Sequence, residues 1–378
     1  MATFNQISNE YQYKNQDDKK KALDGLMGKV QKRFGKESIN TLNGKVNLDI
    51  PHIPSDILSL DLALGIGGIP KGRIIELFGD SSAGKTTLSL NFIRQVQQRG
   101  GLAAFVDAEH ALDPKWARAR GVNLEELLIS QPECGEEALE ITEELIESGQ
   151  VGIIVVDSVA ALIPRAELEK DMGESSMGLQ ARLMSQACRK LTSMVSKTGT
   201  ILIFLNQIRA TIGGYGPATT TTGGNALKFY ASQRLELARK ETLKKGDDAY
   251  GVKVRVKVVK NKVASPFTEC YFDLIFKDGY DFEGSVVEEA VKYDFIQKGG
   301  AWFTYKGEKF QGLNGIKTHL KANPSLISDL RQQVLNKVKE TGLSDKEISL
   351  EEETKRRVLL KEETPVESSA EPMEEVNG

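Results

Sequence analysis

Residues 79–86 read GDSSAGKT, which satisfies G-x-x-x-x-G-K-[ST] directly after the apolar run Ile74, Ile75, Glu76, Leu77 and Phe78. Such a segment constrains the chain to a strand, a tight loop and a helix in immediate succession. Its glycines and small residues let the backbone curl and aim several N–H groups inward. Phosphate oxygens suit that curl: Lys85 supplies a point charge, Thr86 a hydroxyl suited to Mg2+, and the helix opening near Gly84 the positive end of its dipole. The plainer alternative is a Gly/Ser turn between a strand and a helix. The amphipathic stretch 88–96 (LSLNFIRQV) on the far side favours nucleotide binding.

The 378 residues are enough for one large core with smaller appendages. No run approaches the eighteen or so apolar residues that cross a bilayer, and residues 1–21 are polar, so neither a membrane span nor a secretory leader is expected. Cys134, Cys188 and Cys270 match no zinc or disulfide spacing and are read as reduced thiols of a cytoplasmic chain. His52, His110 and His319 are too scattered for a histidine metal cluster. Charge is uneven: from Ser344 on, eleven acids face five bases, a net −6 that leaves +3 on residues 1–343. That acidic tail buries too little apolar surface to offset its ordering entropy. It is either a solubiliser or a polyanion that competes with nucleic acid for basic loops.

Along the chain, residues 19–34 put Leu23, Leu26, Met27, Val30 and Phe34 on one helical stripe with bases opposite, and a Gly/Asn-rich stretch follows. Continuous apolar runs at 102–107, 127–130, 151–157 and 201–205 predict strands covered on both faces, with helices at 136–148 and 178–196 between them. Past residue 230 the period becomes two: Val252, Val254, Val256 and Val258 alternate with Lys253, Arg255 and Lys257, and 270–276 can pair antiparallel. Parity inverts at Lys260 and Lys262, so the strand is bulged there or has left the core. The expected fold is α/β: a P-loop NTPase core with a mostly parallel central sheet and an antiparallel extension, an N-terminal helix, and a small C-terminal α/β domain. The expected division is 1–47 helix and linker, 48–280 core, 281–343 C-terminal domain with Trp302, Tyr305 and a last helix at 326–338, and 344–378 acidic disordered tail.

Ligands on such sheets sit outside the carboxyl ends of the strands. Asp157 closes a strand where phosphate-loop enzymes keep the acid that holds Mg2+ through water, although an Asp there also forms turns. Glu109, after the neighbouring strand, can orient and deprotonate a water that attacks the γ-phosphate; its plainer role is a helix-start Glu. Segments 167–177 and 208–224 lack apolar periodicity yet follow core strands, and loops that long are functional or disordered. With Arg182, Arg189 and Arg209 close by, they could embrace a phosphodiester backbone without reading bases.

Segments 105–114 (FVDAEHALDP), 153–161 (IIVVDSVAA), 177–179 (MGL), 205–209 (LNQIR), 221–230 (TTGGNALKFY) and 258–262 (VVKNK) resemble the bacterial RecA recombinase family from about residue 19 to 338. The resemblance implies an ATP-dependent homo-oligomeric helical filament on single-stranded DNA that pairs it with homologous double-stranded DNA, exchanges strands and stimulates self-cleavage of a LexA-type repressor. It implies that Gly79, Asp80, Ser81, Ser82, Ala83, Gly84, Lys85, Thr86 and Thr87 hold ATP, with Thr86 and Asp157 at Mg2+ and Ser158 completing that site. It further implies that Glu109 activates water, that Asp113 and Trp116 contact adenine, and that Gln207 senses the γ-phosphate. Met177, Arg182, Arg189, Arg209, Gly223, Gly224 and Asn225 fall in or beside two DNA loops. Lys260 and Lys262 resemble a pair that reaches the neighbouring subunit's ATP, Phe229 a subunit contact, and Lys298 a duplex-capturing base, with the 19–34 helix docking on a neighbour. Asp80, Ser81 and Ala83 replace the family's usual Pro, Glu and Ser, and Trp116 its usual Tyr. A ring-forming helicase-like or clock-type ATPase, and a regulatory module that holds ATP without turnover, are the competing readings.

Overall fold

The computed structural model describes residues 15–36, 38, 39, 41, 50–171, 174, 178–210 and 219–341. Met177 and the acidic tail lie outside them. Contacts group the residues up to Asp49 and those from Ile50 on as two units. In the first, helix α1 (Gln16–Phe34) starts under the side chain of Asn15, which accepts from Asp18 N at 2.8 Å. Asp17 and Asp18 stand in its first turn and Lys32 and Arg33 in its last, the sense that opposes the helix dipole. Leu23, Leu26 and Phe34 are exposed.

In the second unit the order is β1 (His52–Ile53), α2 (Leu58–Ala63), β2 (Ile69–Pro70), β3 (Ile74–Gly79), α3 (Lys85–Gln97), β4 (Leu102–Asp107), α4 (Pro114–Ala119), β5 (Leu127–Ser130), α5 (Gly135–Glu147), β6 (Val151–Asp157) and α6 (Arg165–Leu168). Then come α7 (Leu179–Thr198), β7 (Ile201–Ala210), β8 (Thr219–Thr221), α8 (Ala226–Tyr230), β9 (Gln233–Lys245), β10 (Asp248–Asn261), β11 (Glu269–Ile275) and β12 (Gly279–Tyr280). The last part holds α9 (Phe282–Lys292), β13 (Gln297–Gly299), β14 (Trp302–Tyr305), β15 (Glu308–Gln311), α10 (Gly312–Ala322) and α11 (Pro324–Thr341).

One sheet dominates, in the order β12-β11-β10-β9-β3-β7-β6-β4-β5, with β8 added on β7. Pairing is parallel from β9 to β5 and antiparallel from β12 to β9. The apolar runs are unbroken because both faces are covered. Ile153 and Val155 join a core with Leu88, Phe92 and Ile93 of α3, while Ile154 and Val156 join one with Leu139 of α5 and Met184, Cys188 and Leu191 of α7. The parity inversion is a bulge, since the β9–β10 register shifts between Val258 and Lys260. Segments 167–177 and 208–224 are not wholly without structure: α6 reaches Leu168, and Ile208, Arg209 and Ala210 pair with Thr221, Thr220 and Thr219.

The C-terminal elements build their own core around Val287, Ile296, Phe303, Ile316 and Leu330, into which Leu58 of α2 inserts. Tyr305 is buried there, whereas Trp302 is exposed. Arg331 on α11 reaches back to the buried carboxylate of Asp61 at 2.6 Å, and Ser55 N and Oγ donate to the same carboxylate at 2.7 Å each. Burial still pushes Asp61 up to about 6, with Arg331 opposing it. Arg331→Ala leaves that carboxylate enclosed without its cation. It is expected to cost about 3 kcal/mol in urea unfolding at pH 7, and less at pH 5 where Asp61 takes up a proton. Adding Asp61→Asn should return part of the loss.

Candidate functional site

Strand register builds the site. Gly79 on β3 pairs with Gln207 on β7, and Asp107 on β4 pairs with Asp157 on β6; Val156 and Glu76 both pair with Phe204, so the four strands bring these residues to one edge of the sheet, Asp157 about two residues short of Gly79. The chain beyond β4 is tied there too: Ala108 N and Glu109 N donate to Asp157 O at 2.8 and 3.1 Å. Buried Asp107 pins the following turn by accepting from Ala111 N, Leu112 N and Gln131 Nε2.

Between β3 and α3 the loop turns through left-handed conformations at Ser82 (φ +58°) and Gly84 (φ +94°). An added Cβ on Gly79, at φ +152°, would meet Leu237 O at 2.1 Å, so only glycine fits the crossing of β3 and β9. Gly84 caps α3 without any side-chain acceptor, which leaves the first helical N–H groups to whatever anion the loop holds. Lys85 bends back over the loop and donates to Gly79 O at 3.0 Å and Asp80 O at 2.7 Å. Burial lowers its pKa, opposed by Asp157, Glu109 and Asp80. The last of these carboxylates stands where the family usually has Pro.

Thr86 Oγ1 donates to Asp157 Oδ2 at 2.9 Å. Burial pushes Asp157 up to about 6, helped by repulsion from Glu109 and Asp107, and the Thr86 bond and Lys85 pull the other way. A hydroxyl beside an enclosed carboxylate is a hard-oxygen donor set that suits Mg2+. Glu109 Oε1 accepts from Gln207 Nε2 at 2.9 Å and from Ser158 Oγ. Ser158 therefore points at Glu109, not at the Thr86–Asp157 pair beside which the sequence reading set it.

On the outer side of α3, Trp116 Nε1 lies 3.4 Å from Thr87 Oγ1, so the indole adjoins the phosphate loop. Asp113 caps α4, accepting from Lys115 N at 2.8 Å. Arg182 and Arg189 are exposed on α7 and line an open surface depression with Ala181, Ser185 and Gln186. A Cβ on Gly224 would lie 2.8 Å from Ala181 Cβ, and one on Gly223 2.6 Å from Val159 Cγ1, so the returning limb of the 208–224 segment leans on α7 beside Arg182. Arg209 is exposed on β7, and Asn225 stands just before α8 without a side-chain capping bond. Lys298 lies over the Phe303 ring at 5.6 Å.

Lys260 and Lys262 are not part of this cluster. Their ammonium groups cover the end of α8: Lys260 donates to Lys228 O and Phe229 O at 2.6 and 2.8 Å, and Lys262 to Phe229 O at 3.0 Å. Lys260 pairs with Arg234, which is level with Glu76, whereas Gly79 is level with Leu237 and Val256. The pair therefore sits roughly 10 Å along the strands from the loop, toward the other edge of the sheet. Phe229 beside them is 71% exposed.

Behind the loop lies a buried network that no motif in the sequence singles out. Glu76 on β3 is fully buried; it pairs with Arg234 Nε at 2.5 Å and accepts from Asn206 Nδ2 at 2.9 Å. Asn206 continues to Thr222, accepting from its Oγ1 at 2.5 Å. A charged residue in the middle of an apolar strand was the available signal.

A family model described as the RecA N-terminal domain matches residues 21–281, and one described as the RecA C-terminal domain matches 284–339. The chain belongs to the RecA family. Among its RecA relatives, "Protein RecA" of Leptospira biflexa serovar Patoc is 48% identical over 95% of both chains. "Protein RecA" of Campylobacter lari is 53% identical over 85% of this chain and 94% of its own. That of Syntrophus aciditrophicus is 52% identical over 84% and 93%. No helix among the described residues is long and apolar enough to cross a membrane, and Cys134, Cys188 and Cys270 are buried and form no disulfide.

Glu76→Gln is expected to keep the Asn206 contact but leave Arg234 Nε without its carboxylate. A loss of about 2–4 kcal/mol in denaturant unfolding checks it.

Proposed function

We propose that this RecA-family chain is a DNA-dependent ATPase that assembles head to tail on single-stranded DNA, pairs it with homologous duplex and exchanges strands. In this reading it also prompts self-cleavage of a LexA-type repressor and works in the cytoplasm, with the division into 1–47, 48–280, 281–343 and 344–378 expected from sequence. The observation that carries the proposal is the carboxylate of Glu109, held by Gln207 and Ser158 beside the Thr86–Asp157 pair and the phosphate loop.

The loop from Gly79 to Thr87 receives the triphosphate on its N–H groups and on Lys85. Thr86 and Asp157 would hold Mg2+, which when bound neutralises charge gathering on the phosphate oxygens. Glu109 takes the proton of the attacking water; Gln207 and Ser158 both hold Oε1, which leaves the other carboxylate oxygen to that water. Gln207 opens the run from β7 into the 208–224 segment, so a change in its bond to Glu109 on turnover reaches the segment that, with Arg182, Arg189, Arg209, Gly223, Gly224, Asn225 and Met177, grips the DNA backbone. Lys260 and Lys262 stand too far from their own loop to serve it, which favours their action on ATP held by an adjacent copy, with Phe229 at that seam. Helix α1, its apolar stripe exposed, suits docking on a neighbour, which argues for an open polymer over a closed ring. Trp116 carries the base, and Lys298 helps draw in duplex.

Two tests bear on turnover. Lys85→Ala is expected to abolish phosphate release with and without single-stranded DNA. Glu109→Gln should keep ATP binding and filaments, visible by electron microscopy, while slowing hydrolysis about 10²–10⁴-fold; a wild-type rate would assign the base elsewhere.

The seam gives a pH dependence. Burial, then Lys262 and Arg234, lower Lys260 to about 8, so the free chain loses this ammonium as pH rises through 8. Seating it against phosphate then requires proton uptake, and ATP-dependent assembly should weaken between pH 7.5 and 9. Lys260→Arg, charged throughout, should flatten that slope in a light-scattering titration.

A further inference from the structure

Arg120, which caps the C-terminal end of α4, is a guanidinium in an unexpected place. It is only 8% exposed, it sits with its Cζ 4.1 Å from the centroid of the Trp116 ring, and its Nη2 donates to Phe276 O at 2.8 Å and to Lys277 O at 3.4 Å. Two further donors, Nε and Nη1, are buried without a hydrogen-bond partner. It packs against Gly279, where, at φ +91°, an added Cβ would meet Nη1 at 2.7 Å. Burying a cation with two idle donors is unfavourable for stability alone, and such local conflicts concentrate where a site requires them.

The surroundings name the site. Trp116 is half-buried, one face taken by Arg120, and its Nε1 points at Thr87 of the phosphate loop. Phe276, whose carbonyl Arg120 holds, is 41% exposed. Just beyond, Gly279–Tyr280 forms β12, and Tyr280 OH reaches Gly84 O at 3.5 Å. The guanidinium thus ties α4 to the turn after β11, and Trp116 and Tyr280 on either side of it reach the phosphate loop.

We propose that Arg120 is a positioning residue for the purine base of the bound nucleotide. It backs the indole of Trp116 so that the open face is fixed as a stacking surface, and it holds the turn at 276–278 so that Phe276 borders that surface. A cation on the far face of the indole fixes the ring's tilt without touching the base. The proposal rests on the reading of Trp116 as the base contact, and it separates the energetics of the base from those of the phosphates.

The test uses the full-length protein carrying Trp302→Phe, which leaves Trp116 as the chain's single tryptophan and its fluorescence as the reporter. ATP is compared with inorganic tripolyphosphate, which offers the phosphates and no base. Arg120→Leu is expected to weaken ATP about tenfold or more and to diminish the ATP-induced change in Trp116 emission. Tripolyphosphate affinity should stay within about twofold, and the DNA-stimulated rate should show a raised KM with kcat nearly kept. Arg120→Lys, which keeps charge but not the planar fork, should show the same selective loss in smaller degree, and it carries the test if the leucine variant does not fold. Wild-type ATP affinity in a folded variant would overturn the proposal. So would a parallel loss of tripolyphosphate affinity, which marks a general support of the loop. Trp116→Ala, which carries no reporter and is therefore titrated with ATP and tripolyphosphate by calorimetry, separates the two readings. If it weakens ATP selectively while Arg120→Leu does not, only the role of Arg120 falls. If it leaves the preference for ATP over tripolyphosphate untouched, the base is not on Trp116 and both fall.

Discussion

The side-by-side parallel pairing of β3, β7, β6 and β4 is the constraint on which the rest depends. Their residues alternate between two fully covered faces, Ile153 and Val155 toward α3 and Ile154 and Val156 toward α5 and α7. A slip of one residue would exchange the two cores, so the register is fixed. That register, and no single contact, sets Gly79 level with Gln207 and Asp107 level with Asp157. Short connections at those strand ends then need carry only a loop, a carboxylate and an amide a few residues further to assemble the site.

Charge is placed against this apolar frame with compensation. Glu76 is buried under the phosphate loop but answered by Arg234 and Asn206, and Asp61 is buried under the C-terminal elements but answered by Arg331 and Ser55. At the site itself the balance is different. Asp157, Glu109 and Asp80 surround one ammonium, that of Lys85. Three carboxylates against one cation fit a site that takes up Mg2+ along with a polyanion, and they make Asp80, where the family usually has Pro, a local source of repulsion toward phosphate.

Much of this was legible in the sequence because its carriers are local. The phosphate loop announces itself through spacing alone, the covered strands through unbroken apolar runs, and Asp157 and Glu109 through their places just after such runs. The inversion at Lys260 was legible as an anomaly, and the register shift after Val258 supplies its geometry. What escaped was set by partners distant in sequence. Nothing around Arg120 indicates that it will meet Phe276, 156 residues on, nor around Arg331 that it will meet Asp61, 270 residues back. The paired ends of 208–224 were missed because Thr219, Thr220 and Thr221 form a ladder with β7 without any apolar alternation. Ser158 could be placed by sequence but not aimed.

The central claim is that nucleotide turnover takes place at a seam that needs the phosphate loop of one copy and the lysine pair of another. Mixing two inactive variants, Lys85→Ala and the double variant Lys260→Ala/Lys262→Ala, in equal amounts on single-stranded DNA tests it directly by phosphate release. Random head-to-tail assembly pairs an intact loop with intact lysines at about one seam in four, so about a quarter of the wild-type rate should return. If the mixture stays as inactive as its components although both variants join the same filaments, the site is complete within one chain and the account is wrong.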